Sequence, residues 1–256
     1  TQYSIKLLEV MGKVSGRIIR PADIARYLRV ERAEAPVRAN REIALLSNLM
    51  TVAVERGDID VNPCKQVKRN LERPRTEAPE PETFAAFLAW LNTQGTQRQV
   101  IGLMAEFAAM VGSRRIEFIR LTLPQIDDEL GRIRLMRAKQ HGGSVRVESV
   151  TITAGMEDLV RRLRALDRPD GCLHVFTTRD GNPYTDDGFA STWQRAMTKA
   201  LEDKIIPRRF TFHDLRAYYT TQHKAQYGGL PDLHADSKTT ARIYDRSKVS
   251  ERRGLS

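Results

Sequence analysis

The sequence predicts a mainly α protein with a small β-sheet (α+β), divided into a helical domain at residues 1–75 and a larger domain at residues 76–256. Three observations support this prediction. Apolar residues recur at helical spacing along much of the chain, and residues 131–152 alternate apolar with polar side chains as a β-hairpin does. Between the two parts, residues 70–81 are highly charged, contain three prolines and lack apolar periodicity, which is typical of an interdomain linker.

Two helices are predicted in the first domain. Pro21 is suited to the first turn of one helix, and the other extends over residues 37–56, where Gly57 ends it. Residues 1–75 contain 15 Lys or Arg and 9 Asp or Glu, which gives this part +6 of the chain's net charge of +10. More than half of the excess positive charge therefore lies in less than a third of the sequence, which favours a polyanionic partner.

In the second domain, Pro79 and Pro81 favour the start of a helix that contains Phe84 and Phe87 at helical spacing. A further helix at 98–111 is almost wholly apolar, so we expect it to be buried. The remaining elements predicted are hairpin strands at 131–139 and 145–152, helices at 155–166 and 187–201, and more helix after His213.

Composition narrows the class of function. The 42 Lys and Arg outnumber the 32 Asp and Glu, and although a basic surface alone could account for this, we favour nucleic acid as the partner. The apolar runs are short and interrupted, so we expect no signal peptide, no membrane span and no membrane partner. Cys64 and Cys172 lie far apart without ligand spacing, which predicts reduced thiols in a cytosolic protein and no metal site.

One segment concentrates reactive side chains. Residues 213–244 contain His213 and Arg216, which are three residues apart and so share one face of a helix, close enough to grip a single anion. His234 and Tyr244 follow. An Arg binds phosphate bidentately, a His donates a hydrogen bond, and a Tyr hydroxyl can act as a covalent nucleophile, although lone His and Tyr residues are more often structural.

A second motif lies upstream, at residues 112–117. Gly112 permits a tight turn, and the helix start that follows offers backbone amides to an anion. Arg114 projects from that start, and Glu117 three residues later can orient a nearby guanidinium. Taken alone, an Arg-rich helix start is more often a solvated face.

Together, the motifs resemble the tyrosine recombinase (phage integrase) family across nearly the whole chain. The matching features are Gly-x-Arg-x-x-Glu at 112–117, Lys139 at the tip of a hairpin strand, His213-x-x-Arg216, His234, and Tyr244 after two threonines. The sequence departs from the family in one place. Family members usually carry Leu-Gly-His before the tyrosine segment, whereas Leu233 here precedes His234 directly.

The resemblance implies a role for each matching residue. Arg114 and Arg216 would clamp the non-bridging oxygens of a scissile phosphate and stabilise the charge of the transition state. His213 and His234 would add hydrogen bonds to the same group. The reacting groups would be Tyr244, which attacks to form a 3′-phosphotyrosyl link, and Lys139, which protonates the departing 5′-oxygen. No metal ion and no cofactor are expected.

Other residues of the same types compete for these roles. Tyr218, Tyr219 and Tyr227 are rivals of Tyr244, but the first two lie on the His213 helix, where we expect them to pack. Arg137 competes with Lys139. The remaining histidines, His141, His174 and His223, are interpreted as structural or surface residues.

The implied function is site-specific DNA recombination, with a core-binding domain at 1–75 and a catalytic domain at 76–256. Two alternatives remain: DNA relaxation like that of a type IB topoisomerase, and a catalytically silent DNA-binding regulator. We expect double-stranded DNA as the partner, gripped between the two domains, with a monomer when free and a tetramer on paired DNA sites. The expected location is the cytoplasm of a bacterial or phage-infected cell, at the nucleoid.

Overall fold

The computed structural model describes residues 3–72, 78–137, 147–231 and 233. The chain divides into two compact units, an amino-terminal unit (Thr1–Arg75) and a carboxy-terminal unit (Thr76–Ser256). The described residues are mainly helical with one three-stranded antiparallel sheet, so the predicted α+β class is confirmed.

The amino-terminal unit is built from helices joined by short turns. Its elements are α1 (Ser4–Met11), a 3₁₀ turn (Gly16–Ile18), α2 (Pro21–Arg26), a π-helical turn (Tyr27–Glu31), α3 (Pro36–Glu55) and a 3₁₀ turn (Pro63–Gln66). Both α2 and α3 begin with Pro, whose fixed φ suits a first turn and whose missing N–H is not needed there. The helix predicted from Pro21 therefore forms, and it widens into the π-helical turn where Tyr27 is buried.

The core of this unit contains a buried acid, Glu42. Ile24, Leu28 and Ile43 are almost completely buried, and Glu42 is fully buried among them. The Glu42 carboxylate accepts a hydrogen bond from the Tyr27 hydroxyl at 2.8 Å and two more from the guanidinium of a neighbouring arginine. A buried carboxylate is tolerated when its oxygens are satisfied in this way.

The carboxy-terminal unit contains the three-stranded sheet together with further helices. Its elements are α4 (Pro81–Asn92), α5 (Thr96–Val111), α6 (Arg115–Phe118), a 3₁₀ turn (Leu123–Gln125), β1 (Ile126–Asp127), β2 (Arg132–Met136), β3 (Val147–Thr151), α7 (Ala154–Arg164), α8 (Asp186–Glu202) and α9 (Asp214–Tyr227). Helix α5 is central: it packs against α4, α7, α8 and α9, and most of its side chains are buried, as its apolar sequence predicted.

Aromatic rings hold α4, α8 and the start of α9 together. Phe87 of α4 meets Trp193 of α8 edge to face with ring centroids 5.6 Å apart, and Trp193 meets Phe212 at 5.0 Å. Phe189 contacts the same Phe212 ring at 4.8 Å. Such pairs contribute about 0.5–1.5 kcal/mol each beyond their buried area. The cluster therefore fixes the backbone immediately before His213.

The predicted hairpin is confirmed in its described part. Strands β2 and β3 pair antiparallel, with Ile133 opposite Val150 and Leu135 opposite Glu148. The apolar side chains of β2 are buried and its basic ones are exposed, because alternate residues of a strand point to opposite faces. Lys139, predicted at the tip of this hairpin, lies outside the described residues.

Candidate active site

The turn between α5 and α6 depends on Gly112. Its φ of +70° places it in the left-handed region, and its N–H caps α5 by donating to the Ala108 carbonyl at 2.9 Å. A Cβ at this position would stand 2.1 Å from the Tyr219 ring of α9. Glycine is therefore required both for the backbone conformation and for the close approach of α9.

Arg114 follows this turn and is held by Glu117. The backbone N–H of Arg114 donates to Glu117 Oε2 at 2.7 Å, and its guanidinium Nη1 donates to Glu117 Oε1 at 2.8 Å. The Glu117 side chain is buried, whereas about a quarter of the Arg114 side chain is exposed, with a relative accessibility of 24%. The predicted role of Glu117 as the residue that orients a guanidinium is supported by this geometry.

Arg216 lies on the first turn of α9 and is buried, with 4% of its surface exposed. Its Nη1 donates to the main-chain carbonyl of Gly112, and its Nη2 donates to the carbonyl of Leu233 at 3.0 Å. The guanidinium thus connects the α5–α6 turn to the segment that follows α9. Two fixed carbonyl groups hold its plane in one orientation.

His213 is the residue that immediately precedes α9. The turn leading into the helix is fixed by the buried carboxylate of Asp214, which accepts hydrogen bonds from the N–H and the hydroxyl of Thr211, both at 2.8 Å. With its backbone held in this way, His213 remains exposed and lines the same cavity as the two arginines.

That cavity, which we call the arginine cavity, has a volume of about 410 Å³. Its lining residues are Ser113, Arg114, Arg115, Ile116, Asp186, Phe212, His213 and Arg216. Three predicted site residues, Arg114, His213 and Arg216, are therefore brought together. The described lining contains three arginines and one carboxylate, an excess of positive charge suited to an anion.

Two charged residues of this lining were not predicted as site residues from the sequence. Arg115 forms an ion pair with Asp186 at the start of α8, with Nη2 and Oδ1 3.0 Å apart. Arg115 has a sequence signal, since it adjoins Arg114. Asp186 has none, because only the packing of α8 brings it to the cavity.

Lys139, His234 and Tyr244 lie outside the described residues, and their roles remain predictions. The described rivals of the same types are engaged elsewhere. Arg137 forms an ion pair with Glu148 on β3. Tyr227 is exposed at the end of α9, where its ring contacts His223 with centroids 4.8 Å apart.

The prediction that Tyr218 and Tyr219 pack is confirmed. The Tyr218 ring lies 5.1 Å from the Phe84 ring, and the Tyr219 ring fills the space above Gly112. Burial raises the pKa of both hydroxyl groups above the ordinary value for tyrosine. A raised pKa disfavours the phenolate, so neither residue has the environment of an activated nucleophile.

Other expectations concern features of the whole chain. Cys64 and Cys172 are free thiols. Within the described ranges, no three His, Cys, Asp or Glu side chains group closely enough to hold a metal ion. In the same part of the chain, no helix is both long and apolar enough to cross a bilayer.

A scan with protein-family models and a search of curated proteins find no match. Solved structures, by contrast, resemble the chain over nearly its whole length. The integrase of transposon Tn1549 in complex with circular intermediate DNA has a TM-score of 0.69 at 16% identity, covering 95% of this chain and 94% of that one. A lambda integrase dimer bound to a COC′ core site has a TM-score of 0.75 at 15% identity, covering 99% and 90%.

A lambda integrase tetramer bound to a Holliday junction is also similar, with a TM-score of 0.69 at 14% identity over 100% of this chain and 73% of that one. The lambda and Tn1549 integrases are both tyrosine recombinases. The chain therefore has the fold of the tyrosine recombinases, as its motifs predicted.

Proposed function

We propose that this protein is a site-specific DNA recombinase that cleaves and rejoins DNA through a 3′-phosphotyrosyl intermediate. One observation supports the proposal above the others: Arg114, His213 and Arg216 line a single cavity in a chain with the fold of the lambda and Tn1549 integrases. Arg114 lies far along the sequence from His213 and Arg216, so bringing it to their cavity depends on the fold of the carboxy-terminal unit.

The arginine cavity suits phosphoryl transfer because its cations are fixed before a ligand arrives. Glu117 holds Arg114, and the carbonyls of Gly112 and Leu233 hold Arg216. Preorganised donors stabilise a developing charge without reorganising at the moment of reaction, and this is commonly the largest contribution to catalysis. In our proposal the two guanidinium groups bind the non-bridging oxygens of the scissile phosphate, and His213 donates a further hydrogen bond.

In our proposal the nucleophile is Tyr244 and the general acid is Lys139, both of which lie outside the described residues. The Tyr244 oxygen forms a bond to phosphorus while the bond from phosphorus to the 5′-oxygen breaks. The hydroxyl proton of the tyrosine is released to solvent, and Lys139 donates its own proton to the departing 5′-oxygen. His234 adds a hydrogen bond to the phosphoryl group.

The role of Lys139 can be tested with a substrate that has a 5′-bridging sulfur, which leaves without a proton. This substrate should restore cleavage by Lys139→Ala but not by Arg114→Ala. Restored cleavage by both variants, or by neither, would remove Lys139 from this role.

The partner in this proposal is double-stranded DNA, contacted by the basic amino-terminal unit as a core-binding domain and by the catalytic unit. We propose a monomer in the absence of DNA and a tetramer on paired sites. The lambda integrase structures include a dimer on a core site and a tetramer on a Holliday junction. We propose that the protein acts in the cytoplasm of a bacterial or phage-infected cell, at the nucleoid, where such a DNA substrate lies.

The proposal is tested by trapping the covalent intermediate. The probe is a pool of duplexes with a randomised centre, each nicked so that the 5′-hydroxyl fragment diffuses away after attack and religation fails. Wild-type protein should form complexes that survive denaturant, and their DNA reports the target sequence. Tyr244→Phe should form none while binding DNA normally. The matched controls Tyr219→Phe and Tyr227→Phe, which also lose only a hydroxyl, should react like wild type.

Other outcomes of the trapping experiment would favour a different nucleophile or one of the two alternative functions. Covalent complexes formed by Tyr244→Phe would assign the nucleophile to another tyrosine. Relaxation of a supercoiled plasmid without joining of paired sites would favour the topoisomerase function. Binding to the duplex pool with no covalent complex from wild-type protein would favour the silent regulator.

A further inference from the structure

The arginine cavity contains a third arginine, Arg115, that the proposed chemistry does not use. Its guanidinium is held on two sides. Nη2 lies 3.0 Å from Asp186 Oδ1, and the centre of the guanidinium lies 5.3 Å from the centroid of the Phe189 ring. Phe189 is fully buried in the aromatic core of the unit, so the surface on which Arg115 stacks is rigid. A freely solvated arginine would have neither contact.

These two contacts preorganise the Arg115 side chain for binding an anion. Stacking on an aromatic face and pairing of one edge with a carboxylate restrict a long side chain, so less conformational entropy is lost when it binds an anion. A guanidinium has five N–H donors in a planar fork, and the ion pair with Asp186 uses one edge only. About 30% of the Arg115 side chain is exposed, and Arg115 lines the cavity.

The dimensions of the cavity indicate more than one phosphate. Its volume of about 410 Å³ falls in the range of pockets that hold whole small molecules, roughly 300–1,000 Å³, whereas a phosphate group has only a few heavy atoms. Arg114 and Arg115 are consecutive, with Cα atoms about 3.8 Å apart, but their guanidinium groups are tied to carboxylates on different elements. Each guanidinium is therefore oriented by a different element of the fold.

We propose that Arg115 binds a DNA phosphate that flanks the scissile phosphate, and that Asp186 is the positioning residue that holds Arg115 in place. This inference rests on the proposed function, because it identifies additional substrate contacts of the same site. The scissile phosphate is bound by Arg114 and Arg216, and the flanking phosphate by Arg115. Two fixed phosphates define the direction of the strand as well as its position.

The first experiment measures how DNA affinity depends on salt in a Tyr244→Phe background, so that the result is independent of cleavage. Each phosphate contact contributes about 0.9 to the slope of log affinity against log salt concentration on B-DNA. Arg115→Ala should weaken binding and lower the slope by about 0.9. The matched control is Arg161→Ala, which removes an arginine that is also paired with an aspartate but does not line the cavity. Equal slopes for the two variants would overturn the inference.

The second experiment places neutral methylphosphonates at the phosphates that flank the cleavage site recovered by covalent trapping. At the phosphate that Arg115 contacts, the modification should weaken wild-type binding and have no further effect on Arg115→Ala, because both changes remove the same interaction. Additive losses at every flanking position would contradict the assignment. Failure of wild-type protein to form any covalent complex would instead count against the proposed function, and the salt experiment would still test Arg115.

The third experiment separates positioning from general structure. Asp186→Asn should lower the rate of covalent complex formation about tenfold, because releasing Arg115 misplaces the strand. It should not weaken DNA binding, because it also removes a negative charge near the phosphates. Asp187→Asn is the matched control, since it removes an acid from the same first turn of α8. It should leave the rate unchanged. Equal rates for the two variants would show that Asp186 does not position Arg115.

Discussion

Each unit contains a buried assembly of arginine and glutamate, and the two assemblies differ in how their charge is balanced. In the amino-terminal unit, Glu42 is fully buried and accepts hydrogen bonds from Tyr27 and Arg32, each at 2.8 Å, while Arg38 lies 3.5 Å away. We call these four residues the Glu42 cluster. One carboxylate lies at its centre, and the donors surround it.

In the arginine cavity the arrangement is reversed, because arginines rather than a carboxylate predominate in its lining. The Glu117 carboxylate orients Arg114 through a hydrogen bond, and two main-chain carbonyls orient Arg216 in the same way. Neutral carbonyl groups fix a guanidinium without neutralising it, so its positive charge remains available to an anion. A carboxylate enclosed by its donors, as in the Glu42 cluster, stabilises a fold, whereas an arginine held by neutral carbonyls, as Arg216 is, keeps a charge that can bind an anion.

The largest effect expected from this comparison is on stability, for Glu42→Gln. Removing one partner from a buried ion pair destabilises a protein by about 3–5 kcal/mol, because the other charge is left uncompensated. Hydrogen exchange of peptides from α3 in the intact chain should accelerate accordingly, while cleavage by the folded protein stays near normal. Glu31→Gln breaks an ion pair with Arg26 that is largely exposed and should change stability by less than about 1 kcal/mol. Equal effects would refute the contrast between closed and exposed pairs.

The next effect is on chemistry, for Arg216→Lys. A lysine keeps the charge but cannot reach two carbonyls and a phosphate with one planar group. Covalent complex formation should fall by roughly 10²-fold or more, about 2.7 kcal/mol, by analogy with the loss of an oxyanion donor. The same exchange at Arg32 in the Glu42 cluster should lower stability and leave the reaction rate unchanged. A near-normal rate for Arg216→Lys would show that Arg216 is only a positioning contact.

A smaller effect distinguishes two glycines that end helices in the left-handed conformation. Gly112 ends α5 with φ of +70°, and Gly228 ends α9 with φ of +73°. Alanine at either position costs about 1–2 kcal/mol for its backbone. At Gly112 the new Cβ would also meet the Tyr219 ring at 2.1 Å, whereas nothing lies within 4 Å of the Cβ at Gly228.

Gly112→Ala should therefore destabilise the carboxy-terminal unit by about 1–3 kcal/mol more than Gly228→Ala, the usual effect of overpacking. Both tryptophans, Trp90 and Trp193, belong to this unit, so their fluorescence during urea unfolding reports on it alone. Gly112→Ala should also slow cleavage, because its carbonyl holds Arg216. The double variant Gly112→Ala/Tyr219→Ala should recover part of the stability, and a failure to do so would show that the ring is not the obstacle.

The features that the sequence predicted are those fixed by neighbours along the chain. The antiparallel pairing of β2 with β3 follows from alternation, and the burial of α5 follows from its apolar composition. Glu117 could be assigned to a guanidinium because it stands three residues after Arg114, one turn along a helix. Such predictions need only a residue spacing and the geometry of one element.

The features that were missed depend on contacts between distant elements. Nothing in the sequence shows that the carbonyls of Gly112 and Leu233 hold Arg216, since every residue has a carbonyl and only the fold selects two of them. Asp186 reaches the arginine cavity through the packing of α8, and its neighbour Asp187 has the same local sequence signal. Side-chain chemistry can be predicted from spacing, but the partners that orient it come from tertiary packing.

Acidification should weaken the Glu42 cluster. Burial raises the pKa of the Glu42 carboxyl, but hydrogen bonds from Arg32 and Tyr27 outweigh burial, and the net result is a lowered pKa. A carboxyl whose pKa is lower in the folded state stabilises the fold above its unfolded pKa of about 4.3, and this contribution is lost as pH falls through the folded pKa. The stability gap between wild type and Glu42→Gln should therefore be largest near neutral pH and narrow below about pH 4.3.

Hydrogen exchange of α3 measures this gap directly, because intrinsic exchange rates cancel when both proteins are compared at the same pH. A gap that stays constant or widens on acidification would mean that Glu42 is not ionised in the folded protein, and the cluster would then be a neutral hydrogen-bond network rather than a closed ionic one.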